Sequence, residues 1–186
     1  NGQIGSGPLY TDNGFWDTYR TVYPLLALVY PDKLPHIMEG WLNASRQIGW
    51  APKWPSPGVR DCMIGTHFDA VVADLALKGI PGWDVEEAFS YLWKSATEPS
   101  FDPCHGRPGL ELYEKYGYVP HDRAHHAVSC TLDYAYGDFC VAQVARLLGR
   151  ASEAERLLRR SQNYRNVFDP SVGFMRPRLS DGRWLE

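Results

Sequence analysis

Residues 129–149 read SCTLDYAYGDFCVAQVARLLG and give the clearest helical pattern in the sequence. Apolar side chains recur there at helical spacing, which predicts a helix from Ser129 or Cys130 to Leu148. Gly149 should end it, because glycine readily adopts the left-handed conformation that closes helices. The larger apolar residues predicted to share one face of this helix are Leu132, Tyr136, Phe139, Val144 and Leu147.

Helical spacing also dominates the rest of the chain, and alternating strand patterns are scarce. Five further helices are predicted, over residues 16–29, 34–48, 65–78, 85–96 and 152–163. Pro24 should kink the first or end its first half, Gly79 should close the third and Asp84 should cap the fourth. Short helices joined as hairpins are typical of an α/α toroid or solenoid, so the predicted fold class is all-α.

The segments between these helices read as loops. Residues 50–59 are broken by prolines, and residues 97–123, rich in Pro, Gly and His, are predicted to be one long connection of the kind that is usually functional or mobile. The last twenty residues predict turns and short extended pieces. The charged side chains of residues 152–163 are most simply interpreted as the solvent-exposed face of a helix.

Composition limits the classes of protein that fit. The chain has 186 residues, enough for one ordinary domain, and its 44% hydrophobic and 22% charged residues argue against wholesale disorder. A net charge of -3 gives no reason to expect a nucleic-acid partner. No apolar run approaches the roughly 18 residues of a membrane span. The four cysteines have irregular spacing without CxxC, which favours buried thiols over a zinc ribbon or a disulfide framework.

The start of the first predicted helix is a candidate binding site. Trp16, Asp17 and Arg20 bring an aromatic ring, a carboxylate and a guanidinium within five positions. Asp17 could pair with Arg20 across one helical turn, or it could bind sugar hydroxyls while Trp16 stacks on a sugar ring. A capping carboxylate beside a core tryptophan would leave the same pattern, so these residues alone do not decide.

Asp133 is the main candidate for acid–base chemistry. It lies near the start of the 129–149 helix among apolar and aromatic residues. Burial would favour its protonated form, as a general acid requires, whereas the helix N-terminus would favour the anion. The sequence leaves this balance open, and a structural carboxylate remains the alternative.

Histidines form two further candidates. His121, His125 and His126 precede the same helix, where they read as a polar rim more readily than as a metal site, since no HExxH motif is present. His67 precedes an apolar helix and, taken by itself, reads as a hydrogen-bonded structural residue. Asp74, set among apolar residues, is expected to be buried and hydrogen-bonded.

Four strings in this order resemble the catalytic domain of glycoside hydrolase family 92, whose members are exo-acting α-mannosidases. They are WDTYRTVYPLLAL, CMIGTHFDAVVADLALKGI, YVPHDRAHHAVSCTLDYAYGDFCVAQVARLLG and FDPSVGFMRPR. The similarity runs from about Thr11 to Trp184. It implies an (α/α)6 toroid, of which residues 1–186 would be the first half, without the family's N-terminal β-sandwich or the rest of the catalytic domain.

The resemblance also implies calcium-dependent hydrolysis with inversion, acting on terminal α-mannosides of glycans, with α-1,2 linkages the first expectation. The family pattern TLEYAYDDW has a glutamate as its general acid. Asp133 stands at that position, with a side chain one methylene shorter. The family's WDTxR motif is matched by Trp16, Asp17 and Arg20, and its MIGxH/N segment is matched at His67. The resemblance implies that all four residues lie near the mannose pocket. The catalytic base and the calcium ligands are expected beyond Glu186, so the chain alone should be inactive. The resemblance also implies a secreted or periplasmic location. The alternative is a degenerate helical module that binds mannose or glycans without cleaving them.

Overall fold

The computed structural model describes residues 5–186, so the domain predicted over residues 1–186 includes four positions outside the described part. The eight described α-helices are α1 Phe15–Thr18, α2 Val22–Val29, α3 Leu34–Ile48, α4 Phe68–Leu77, α5 Val85–Thr97, α6 Leu110–Tyr116, α7 Ala127–Leu147 and α8 Ala151–Arg160. Two 3-10 helices span Pro31–Lys33 and Ser161–Val167, and a small antiparallel hairpin pairs β1 Phe168–Asp169 with β2 Phe174–Met175. The prediction of an all-α fold is therefore confirmed.

Three helix ends follow the predicted chemistry. The Asp84 carboxylate accepts a hydrogen bond of 2.8 Å from the amide of Glu87 and so caps α5. Gly79 and Gly149 follow α4 and α7 with φ of +70° and +71°, the left-handed conformation in which glycine meets little steric penalty. These ends set the short turns that fold successive helices back on one another.

The first predicted helix is divided in two, between α1 and α2. Pro24 lies in the first turn of α2, where its missing N–H costs no hydrogen bond. The predicted helix is interrupted, but the break lies at residues 19–21 and Pro24 belongs to the helix that follows it, so the effect expected of Pro24 itself is corrected.

Three predicted boundaries need correction. Helix α4 begins at Phe68 rather than Gly65, because Gly65 has φ of +80° and cannot belong to a right-handed helix. The connection over residues 97–123 contains α6, a short helix with a left-handed glycine at each end, Gly109 and Gly117. Helix α8 ends at Arg160, and the residues after it tighten into the second 3-10 helix.

Helix α7 occupies the centre of the packing and contacts α4, α5, α8 and the second 3-10 helix. Its buried face carries small residues, among them Ala135, Ala142 and Ala145. Small side chains at a helix contact allow the helix axes to lie close together. The main core is therefore built around this helix.

The large apolar face predicted for α7 is only partly in that core. Val144 is fully buried, whereas Tyr136, Phe139 and Leu147 are 42%, 48% and 52% exposed. The periodicity correctly indicated that these apolar residues lie on a helix. The face of α7 that packs in the core, however, is the neighbouring face of small residues. Among the described residues, no helix combines the length and the hydrophobicity that crossing a membrane requires.

A buried ionic cluster joins α4, α7 and α8. Arg107 donates to Asp69 at 3.0 Å and to Asp138 at 2.5 Å, and Arg160 donates to both oxygens of Asp138 at 2.6 Å. Thr66 adds a hydrogen bond of 2.6 Å to Asp69. Removing one partner of such a cluster leaves a buried charge without compensation. The cluster therefore fixes α7 relative to the loop that carries Thr66.

Two interpretations of charged residues are corrected by these contacts. The charges of α8 are not all solvated, because Arg160 is 9% exposed and belongs to the ionic cluster. Asp74 is only half-buried and pairs with Lys78 at 2.7 Å across one helical turn. The fully buried carboxylate of α4 is instead Asp69, and burial raises its pKa while Arg107 and Thr66 act in the opposite direction.

Candidate functional site

A cleft of about 790 Å³ opens between α1, the loops that precede α4, α6 and α7, and the first turns of α7. Its wall includes the indole of Trp16, the backbone of Gly65 and, from α7, Cys130 and Tyr134. A smaller cluster of buried residues lies behind this wall and includes Tyr134 and Leu110. The volume is in the range of small-molecule sites, and its lining combines apolar and polar groups as such sites do.

Four of the five site residues predicted from the sequence lie in one continuous row beside the cleft. The Arg20 guanidinium lies 5.2 Å from the ring centroid of Trp16 and 4.6 Å from that of Tyr19. The Tyr19 ring stacks on His67 with centroids 4.5 Å apart and planes 13° apart. His67 Nε2 in turn lies 3.3 Å from Asp133 Oδ1. Residues from three separate parts of the sequence thus meet in this row, and Trp16 is its member that lines the cleft.

Asp17 lies outside this row. Its side chain is exposed on α1, and Arg20 donates to the carbonyl of Trp16 at 3.3 Å. Among the contacts of residues 5–186 there is no Asp17–Arg20 ion pair, so that alternative for the motif is not realised. A sugar contact through the exposed Asp17 carboxylate stays a prediction.

His67 is held rigidly at the start of α4. Its carbonyl accepts the amides of Ala70 and Val71 at 3.1 and 3.3 Å, and its side chain is only 3% exposed. A Cβ on Gly65 would lie 2.4 Å from His67 Cε1, so glycine is required there for space as well as for its positive φ. The sequence placed His67 near the mannose pocket, which stays a prediction; its buried ring contacts Asp133 and is not among the residues that line the cleft.

Asp133 lies on α7, one helical turn after Cys130 and directly before Tyr134. Those two neighbours line the cleft, whereas Asp133 is not among its lining residues. Its side chain is 22% exposed, so it is partly desolvated but accessible. Within residues 5–186 its carboxyl has one hydrogen-bond partner, His67 at Oδ1. A half-buried carboxyl with one free oxygen beside a cleft has the access that a proton donor needs.

Two residues of the site, Tyr19 and Lys53, were not identified as such from the sequence. Tyr19 stands inside the WDTxR motif, where its position is variable, and only the fold shows that it bridges Arg20 and His67. Burial raises the pKa of Tyr19, against the opposing charge of Arg20. Lys53 lines the cleft, and burial lowers its pKa although Nζ donates to the carbonyl of Pro103 at 3.0 Å. No local pattern marks either residue, because each is defined by partners distant in sequence.

His125 and His126 are exposed and line the cleft, which agrees with their interpretation as rim residues. His121 lies farther along the loop, where its amide donates to the carbonyl of Arg178 at 2.9 Å. The part of the chain that the structure describes brings together no group of three or more His, Cys, Asp or Glu side chains suited to a metal ion.

Comparison with solved structures identifies two close relatives. The family GH92 inverting mannosidase BT2199 of Bacteroides thetaiotaomicron matches the whole of this chain at 38% identity and a TM-score of 0.94, over 25% of its own length. The family GH92 α-mannosidase BT3965 of the same bacterium, solved with mannoimidazole, matches 98% of this chain at 34% identity and a TM-score of 0.87, over 24% of its length. The family GH92 glycosyl hydrolase ccman5 shares the fold, at 20% identity and a TM-score of 0.68.

Comparison of sequences leads to the same family. A protein of Arthroderma benhamiae described as an uncharacterized secreted glycosidase is 31% identical over 176 residues, covering 77% of this chain and 21% of that protein. The chain thus spans about a quarter or less of the length of these relatives. Residues 2–186 match the model of the glycosyl hydrolase family 92 catalytic domain, and the chain therefore belongs to glycosyl hydrolase family 92.

Proposed function

We propose that these residues form part of the catalytic domain of an inverting exo-α-mannosidase that removes terminal mannose from glycans, with α-1,2 linkages as the first expectation. The observation that supports it most directly is the half-buried, accessible Asp133 carboxyl on α7, next in the helix to Tyr134, which lines a cleft together with Trp16. Family membership and the mannosidase relatives support the same class of substrate. The remainder of the catalytic domain is the partner that this function requires.

The proposed chemistry begins with Asp133 as the general acid. Its carboxyl proton passes to the glycosidic oxygen while the bond from that oxygen to the anomeric carbon breaks. A water molecule attacks the opposite face and loses its proton to a second carboxylate, about 6.5–9.5 Å from the acid in inverting enzymes. We expect that base to lie in another part of the catalytic domain. The ligands of the calcium ion that the family resemblance implies are expected there too. A secreted or periplasmic location is proposed with them.

The Trp16 face and the Arg20 guanidinium are proposed to border the sugar nearest the acid. An indole face suits the apolar face of a pyranose, and the guanidinium offers fixed donors to hydroxyl oxygens. Asp17 and His67 are proposed to belong to the same site because they match the family's motifs, Asp17 as a sugar contact and His67 from its buried position beside Asp133. The Asp17 carboxylate, exposed on α1, can accept hydrogen bonds from sugar hydroxyls.

The test uses the complete open reading frame that contains these 186 residues, expressed with calcium. Mannose release is measured from α-1,2-, α-1,3- and α-1,6-mannobiose, and NMR identifies the anomer released first. We expect release with inversion, fastest from the α-1,2 substrate and lost on chelation. Asp133→Asn should lower kcat by about 10²–10⁴-fold, the usual contribution of a general acid.

Glu155→Gln is the matched control, because it neutralises a carboxylate on the exposed face of α8. It should retain wild-type rates. A folded protein that binds mannose and releases none would indicate the glycan-binding module instead. Full activity of Asp133→Asn would assign the acid to another residue.

A further inference from the structure

His67 has no direct access to the cleft and yet touches the proposed acid. Its side chain is 3% exposed, against 22% for Asp133, and it is wedged between the Tyr19 ring and the α7 wall. A histidine fixed on both sides by packing can hold a hydrogen-bond partner in one orientation. The contact of 3.3 Å joins His67 Nε2 to Asp133 Oδ1. One oxygen of the carboxyl can therefore serve as an anchor while the other oxygen reacts.

We propose that His67 is a positioning residue for Asp133: its Nε2–H donates to Oδ1 and fixes the carboxyl so that Oδ2 carries the proton that is transferred. This inference rests on the proposed function. Asp133 has a shorter side chain than glutamate, so its placement depends on the α7 backbone and on this one contact. Within residues 5–186, Oδ2 has no protein hydrogen bond that would compete.

The same contact should act mainly during the reaction. When the proton leaves Oδ2, negative charge develops on the carboxyl, and a hydrogen bond to an ionised acceptor is stronger than one to a neutral acceptor. An interaction that strengthens toward the transition state raises kcat more than it changes KM. His67 is therefore expected to affect turnover rather than ground-state binding.

Two substitutions separate the hydrogen bond from the packing. His67→Phe retains an aromatic ring for Tyr19 but removes the donor, whereas His67→Gln places an amide N–H near the position of Nε2 and removes the ring. Both are made in the complete open reading frame and compared with Asp133→Asn. Each variant is assayed on an α-mannobiose and on 2,4-dinitrophenyl α-mannoside, whose leaving group departs as a stable anion and needs little protonation.

We expect His67→Phe to lower kcat on the mannobiose by about 10²-fold, the order of loss caused by misplacing a catalytic group by about 1 Å. KM should change little, and the loss on the dinitrophenyl substrate should be much smaller. His67→Gln should recover most of the mannobiose rate despite losing the stacked ring.

Equal losses on both substrates, or a Gln variant as slow as the Phe variant, would overturn the positioning role and leave His67 as a packing residue. The same would follow if His67→Phe kept the wild-type rate while Asp133→Asn collapsed. If Asp133→Asn itself kept full activity on the mannobiose, the proposed acid would be wrong, which is a different result from failure at His67.

Discussion

At the scale of single residues, Gly137 is the position that sequence rules explain least. It lies within α7, where alanine would favour the helix by about 1 kcal/mol. A Cβ there would lie 2.7 Å from both Arg107 Nη2 and Asp69 Oδ2. The glycine is therefore needed for the approach of the buried ion pair to the helix backbone.

Gly137→Ala is expected to lower the free energy of unfolding by about 1–3 kcal/mol, the usual cost of overpacking a core. Arg107 and Asp69 are buried and paired at 3.0 Å, so neither group can move away from a new methyl without weakening that pair. Urea denaturation of the variant and the wild type measures the change. Ser129→Ala, at an exposed position of the same helix, is the control and should be neutral or slightly stabilising. An equal response of the two variants would contradict this explanation of Gly137.

At the scale of secondary-structure elements, Asp169 organises the small hairpin of β1 and β2. Its carboxylate accepts the amide and hydroxyl of Ser171 at 2.9 and 2.6 Å and pairs with Arg176 at 3.0 Å. The hydrogen bonds from Ser171 and the Arg176 charge lower the pKa of Asp169, against the opposing effect of burial. Strands of two residues form few backbone hydrogen bonds with each other, so the Asp169 carboxylate contributes much of what stabilises the turn.

The lowered pKa gives the hairpin a predictable response to acid. The contribution of Asp169 to stability is fully present above its unfolded pKa of about 3.9 and is lost as pH falls through the lower folded pKa. The difference in urea midpoint between the wild type and Asp169→Asn should therefore be large at neutral pH and shrink below about pH 4. Asp32→Asn, which removes an exposed carboxylate, is the control. A midpoint difference that does not change with pH would contradict the role given to the charge.

At the scale of the whole molecule, two apolar surfaces stand out among the described residues. On α2, Leu25 and Leu28 are 60% and 80% exposed, and on α7, Phe139 and Leu147 are about half exposed. Adjacent exposed apolar side chains commonly mark a surface that packs against protein. Such surfaces are also expected on the first half of a toroid, because the faces that pack against the other half are then uncovered.

The 186-residue chain by itself is therefore expected to self-associate. Sedimentation velocity across a wide range of concentration should show species larger than a monomer. The double variant Leu25→Gln/Leu28→Gln should shift the distribution toward the monomer, because it removes the most exposed part of the α2 surface. Phe101→Ser is the control, since Phe101 is fully exposed and belongs to neither surface. A wild-type chain that remains monomeric throughout would contradict the expectation.

Local patterns predicted the elements well where the deciding interactions are local. The Asp84 cap and the two closing glycines depend on residues within a few positions, so the sequence identified them correctly. The helix α6 was missed because its seven residues are flanked by glycines and prolines that read as loop. Arg160 was misassigned because its charge is balanced by Asp138 in another helix, and no local pattern records such a partner.

The sequence by itself determined the all-α class, the family and the motifs that hold Trp16, His67 and Asp133, since helix periodicity and motif order are properties of the chain alone. Only the tertiary structure decided that the Tyr19 ring links Arg20 to His67, and that the buried His67 ring contacts Asp133. The physical reason is that these contacts join parts of the chain up to 66 positions apart. Their distances depend on how closely α7 packs against its neighbours, which no single segment specifies.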